Sequence, residues 1–155
     1  MIRRVGAVAA LGLAASGGLH VLWLYSPWPL ANWADWSHAF GGPGFRVPTH
    51  VMIAVALLFG CAAYLVGARA TLVPQLGPTW LYRVGTWVVA VVLLGRAAVG
   101  FVEMSFTFFD PRTPAVFRDT IRLYLRFYLP MFLFLGALTA FVAVTAPRHV
   151  RSNSR

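Results

Sequence analysis

The chain has 155 residues, of which 59% are hydrophobic and only 11% charged, against about 25% charged in an ordinary soluble domain. Mean hydropathy is +0.72. The net charge of +9 comes from arginine alone, with no lysine, set against Asp35, Glu103, Asp110 and Asp119. These figures exclude a disordered chain, a fibrous protein and, with Cys61 the single cysteine, a disulfide scaffold. They leave a single-domain integral membrane protein. The arginines are scattered around apolar segments and not gathered on one basic face. Their reading is therefore topology and lipid headgroups, not nucleic acid.

A spanning helix needs about 20 mostly apolar residues. The first predicted span covers about 5–25. Met1-Ile2-Arg3-Arg4 and Ala14-Ala15-Ser16-Gly17 resemble parts of a signal peptide, but the apolar stretch runs on through Trp23 and favours an uncleaved helix. His20 falls about five residues, or roughly 8 Å, short of the outer end. Trp23, three residues on, shares its face. Gly17 and Gly18 lie one turn below and suit close helix approach. The next loop carries Trp28, Trp33 and Trp36, an aromatic belt with a short amphipathic helix along the interface.

The second span, 49–66, opens after Pro48, with Thr49 expected as its N-cap and His50 at headgroup level. Cys61 reads as packing. The third span, 81–101, contains Arg96, whose insertion costs at least ~2.5 kcal/mol and calls for a partner or a wet cavity. Glu103 lies two turns on along the same face, and Asp110 or Asp119 in the next loop are the other candidate partners. The fourth span, 123–146, begins beside a stripe of Arg118, Arg122 and Arg126 and a second stripe of Tyr124 and Tyr128. Pro130 is expected to kink it and Pro147 to close it.

The joining segments hold Pro and Gly, which punctuate helices. No segment alternates as a barrel strand would. The expected fold is an all-α, four-helix membrane bundle. Seven arginines (Arg3, Arg4, Arg69, Arg83, Arg148, Arg151, Arg155) fall on one side, against Arg46, Arg112, Arg118, Arg122 and Arg126 with all four acids on the other. That bias places both termini in the cytoplasm of a bacterial inner membrane. The inner half reads as almost purely apolar, and the costly polar groups converge on the outer half.

There is no metal-spaced Cys/His cluster, no phosphate loop and no nucleophile elbow, so neither a metal nor a cofactor is expected and catalytic residues are unassigned. The order of residues resembles a family of small bacterial membrane proteins known as domain of unknown function 3995. The resemblance rests on Leu19-His20-Val21-Leu22-Trp23, Gly67-Ala68-Arg69-Ala70, Trp80 to Trp87, Leu94-Gly95-Arg96-Ala97 with Gly100-Phe101, and Tyr128-Leu129-Pro130. It implies four spans and draws attention to His20, Trp23, Arg96 and the Tyr128–Pro130 region, with no activity attached. Four residues before the Tyr of its Tyr-x-Pro the family carries an Asp; here the position is Tyr124.

The leading expectation is a binding protein with a polar cavity in the outer half for a small amphiphile or lipid head. His20, Trp23, His50, Arg96, Glu103 and Asp119 would line it, and Arg122 and Arg126 would recognise an anionic group. Two alternatives stand beside it. One is a lipid- or isoprenoid-modifying enzyme with His20 or Glu103 as acid/base. The other is a structural subunit of a homo-oligomer or larger membrane complex.

Overall fold

The computed structural model describes residues 1–40, 44–109 and 121–146. Asp110, Asp119, Arg118, the 110–114 breaker segment and Pro147 lie outside them. Helix α1 is Ile2–Leu22 and α2 is Trp33–Phe40. Helix α3 is Thr49–Arg69 and α4 is Thr79–Phe109. Helix α5 runs over Ile121–Thr145. Four of the five are long and apolar enough to cross a membrane, and the described residues contain no strand.

The helices form an antiparallel up-down-up-down bundle. Helix α1 packs mainly on α3 and α4 mainly on α5, while the backbones of α1 and α4 stay more than 8 Å apart. The shared core contains Ala9, Leu13, Val66, Leu93, Leu135 and Val142. Only 28% of each spanning window is buried within the chain. Leu57, Leu58 and Val91 are among the large apolar residues left about two-thirds exposed. An outward surface of that kind is stable only against lipid or another apolar partner.

Small residues set the close crossings. A Cβ on Gly6 would collide with Ala70, and one on Gly17 would lie 3.1 Å from Phe59 Cβ and 3.2 Å from the Ala56 carbonyl. Gly18, grouped with Gly17 on sequence grounds, faces open space instead.

Helix α3 ends where its amides turn back: Thr71 N–H donates to Ala68 O and Leu72 N–H to Gly67 O, with Thr71 at φ +60°. This is a Schellman ending with threonine where glycine is favoured. Leu72 then folds against the core.

Three expectations need correction. Helices α3 and α4 are longer than the apolar windows suggested; α4 has 31 residues and a length of roughly 46 Å, well beyond the ~30 Å hydrocarbon core. Thr49 is not an N-cap; Pro48 occupies that position and no side chain caps the helix. The end opposite the first loop is not purely apolar. Arg69 is 5% exposed, and its Nη2 donates to Ala146 O at 2.8 Å, joining α3 to the end of α5. Nearby, the Tyr64 and Tyr82 hydroxyls lie 3.4 Å apart. Thr86 and Thr139 are fully buried, each donating to a carbonyl one turn back in its own helix.

Candidate functional site

The other end of the bundle is aromatic, and α2 covers it. Asn32 caps α2: its Oδ1 accepts the Asp35 amide and its Nδ2 donates to the Asp35 carboxylate, both at 2.9 Å. The short amphipathic helix foreseen in the first loop is thus present. It lies over the bundle and buries Trp36 and Ser37, while Trp33 and Asp35 stay exposed.

Trp36 meets Trp23 edge-on at 5.9 Å and Phe40 at 4.7 Å, and the Trp23 indole N–H donates to Trp28 O at 2.8 Å. That bond draws the loop back over α1. The Trp36 indole N–H, by contrast, is buried with no acceptor among the described residues. An unmet buried donor costs about 1–3 kcal/mol.

A chain of ring contacts links this cap to the far side of the bundle. His20 packs on Trp23 at 5.2 Å, Trp23 on Phe40 at 5.0 Å, and Phe40 on Tyr128 at 5.8 Å. Tyr128 stacks on Tyr124 at 6.1 Å, and the Arg96 guanidinium lies 5.3 Å from the Tyr124 ring centroid. His20 and Trp23 on α1 and Arg96 on α4, far from them in the sequence, therefore belong to one connected layer.

Local helix geometry explains the tyrosine pair. Pro130 has no N–H to give its own helix and its ring crowds the carbonyl four residues back. The helix widens over Tyr124–Tyr128 into a π-turn, in which Leu129 N–H reaches Tyr124 O five residues back. The expected disturbance before Pro130 takes this form. A wider turn brings residues four apart nearly into line, so Tyr124 and Tyr128 stack. Gly100 completes the fit, because any Cβ there would collide with the Tyr124 hydroxyl and ring.

Arg96 is exposed on α4 and not enclosed. Its Nη1 donates to the Tyr124 hydroxyl at 3.1 Å, and that hydroxyl donates to Arg96 O at 3.3 Å. Glu103 is also exposed, and no bond joins it to Arg96. The partner is thus the tyrosine that stands where the family resemblance expects an aspartate.

His20 is tied to its own helix: Nδ1 lies 2.7 Å from Ser16 O. A carbonyl can only accept, so Nδ1 carries the proton and Nε2 is left as acceptor. The ring also lies against Phe59 at 5.4 Å. His20 and Glu103 sit on helices whose backbones stay more than 8 Å apart, and Glu103 is exposed, which is not the arrangement of an acid facing a base. His50 is exposed at the start of α3. Arg122 and Arg126 are exposed two residues either side of the buried Tyr124 and so lie on the opposite face of α5. No cluster of three or more His, Cys, Asp or Glu able to hold a metal occurs among the described residues.

The cavity at this end lies beside the predicted residues, not among them. A cleft of about 390 Å³ opens between the end of α1, α2 and the start of α3, lined by Trp23, Trp33, Trp36, Arg46, Thr49 and Met52. Of the residues selected from the sequence, only Trp23 lines it. Trp33 and Trp36 were visible as a belt, but Arg46 carried no signal beyond its charge.

Four apolar spans and an aromatic interfacial cap define a multi-pass α-helical membrane protein. Residues 13–139 match the family described as "Protein of unknown function (DUF3995)", and the chain belongs to that family. Comparison with curated proteins and with solved structures gives no match.

Proposed function

We propose that the protein binds a small amphiphile with an anionic group at the aromatic end of the bundle, in the cleft between α1, α2 and α3. The observation that carries this reading is the cleft itself. Its ≈ 390 Å³ lies within the size range of small-molecule sites. Trp23, Trp33 and Trp36 give it broad apolar faces, and Arg46 supplies a planar fork suited to phosphate or carboxylate. Interfacial tryptophans mark the headgroup level, where an amphiphile presents both its ends. The same reading places this end outside the cytoplasmic membrane and both termini in the cytoplasm.

The test is native mass spectrometry of the detergent-purified chain, followed by identification of whatever co-purifies. Wild type is expected to carry a discrete molecule. Trp33→Ala with Arg46→Gln, both at exposed positions, is expected to lose most of it while keeping wild-type helical content. The loss expected for Arg46→Gln alone is about tenfold or more in affinity, since a charge-assisted hydrogen bond contributes about 1.5–3 kcal/mol. A ligand-free wild type, or a folded double variant that retains the molecule unchanged, overturns the proposal.

A further inference from the structure

We infer that Arg96 is a second, separate site, one that holds the phosphate of a membrane lipid in the leaflet at the aromatic end. Arg96 lies inside the spanning segment Thr79–Thr107, yet its side chain is exposed on the outside of the bundle. Among the described residues its side chain bonds to Tyr124 alone, through Nη1, and the Tyr124 hydroxyl donates back to its carbonyl. A phenol occupies one of the five guanidinium donors and neutralises none of the charge. No carboxylate among the described residues reaches it.

The guanidinium does not point into the middle of the membrane. Its Nη1 lies 2.6 Å from the place a Cβ on Gly100 would occupy, one turn nearer the aromatic end than its own Cα. The side chain therefore runs outward toward headgroup level, as a long basic side chain in a span does when it reaches for phosphate. Tyr124 is buried and stacked on Tyr128, so it holds the fork in place from behind. Val92 and Val99, one turn away on either side of Arg96, are exposed and offer an apolar wall for an acyl chain. A planar fork with free donors, laid outward at the lipid face, suits a phosphate diester. A carboxylate on a second membrane helix could satisfy the same donors, but the outward course of the side chain favours the headgroup layer.

The probe is phosphatidylglycerol titrated into the detergent-solubilised full chain and followed by native mass spectrometry. Arg96→Gln is expected to weaken the tightest lipid about tenfold, which is about 1.4 kcal/mol. Arg126→Gln, an exposed cation on the opposite face of α5, is expected to leave it unchanged. Arg96→Lys keeps the charge but loses the fork, and provides the same test should the glutamine variant not fold; an intermediate weakening is expected. Wild-type affinity in either Arg96 variant overturns the inference. So does an equal loss in Arg126→Gln, which would mean general charge attraction. A wild-type dimer that becomes a monomer in Arg96→Gln, with lipid affinity unchanged, would also overturn it in favour of a partner carboxylate.

Discussion

Gly100 and Gly95 are both helical glycines near Arg96, and the structure gives them opposite roles. A Cβ at Gly100 would run into Tyr124 and the Arg96 guanidinium, whereas one at Gly95 meets nothing. Alanine is the better helix former by about 0.8–1 kcal/mol. Gly95→Ala is therefore expected to be neutral or stabilising by up to about 1 kcal/mol. Gly100→Ala is expected to destabilise by about 1–3 kcal/mol, because Tyr124 must leave its position. Thermal or denaturant unfolding in one detergent compares the two. Equal shifts would mean that Tyr124 has room to move and that the Arg96–Tyr124 contact is not tightly fixed. The two glycines look alike in the sequence, since what separates them is a tyrosine on another helix.

At the scale of elements, the end of α3 is the place where the chain departs most clearly from local preference. Thr71 adopts φ +60° at the position where a Schellman ending favours glycine. A β-branched residue is strained there. Thr71→Gly is expected to stabilise the protein by about 0.5–1 kcal/mol, and Thr71→Val to gain nothing, as measured by unfolding midpoint. A lower midpoint for the glycine variant would show that the Thr71 side chain contributes more than its backbone geometry costs.

The same ending shows what the sequence could reveal. The four spans, the short helix of the first loop and the disturbance before Pro130 were legible, because hydropathy, interfacial tryptophans and a missing N–H act locally. The burial of Arg69 was not. It stands at the end of an apolar window and reads as a flanking charge, but its direction on α3 turns it toward Ala146 of α5. His20 and Trp23 share a face as expected, yet the choice of Ser16 O, Trp28 O and Phe40 as their partners depends on how the chain folds back. The cleft was illegible for the same reason, since Trp23, Trp36 and Arg46 come from three separate segments.

The molecule as a whole has two unlike ends, and its orientation depends on how they differ. Contacts between Gly6 and Ala70 and between Arg69 and Ala146 place the start of α1, the α3–α4 turn and the end of α5 at one end. Of the seven arginines that the sequence assigns to that side of the membrane, against five to the other, Arg3, Arg4, Arg69 and Arg83 fall in described segments that begin or finish there. The rule that cytoplasmic segments carry more Lys and Arg counts these residues and gives acids little weight. A fluorescent protein fused after residue 155 is therefore expected to fold and emit, and alkaline phosphatase in its place to be inactive. Placing the phosphatase in the first loop should reverse the result. The margin is narrow, so orientation should respond to charge. Removing Arg3, Arg4 and Arg83 together leaves the aromatic end with the larger number, and the expected outcome is a mixed or inverted population in both reporters. A triple variant that keeps one orientation would mean that something other than arginine count fixes it. The first-loop tryptophans and the α2 cap they belong to would then be the features to alter next, because no such cap covers the other end among the described residues.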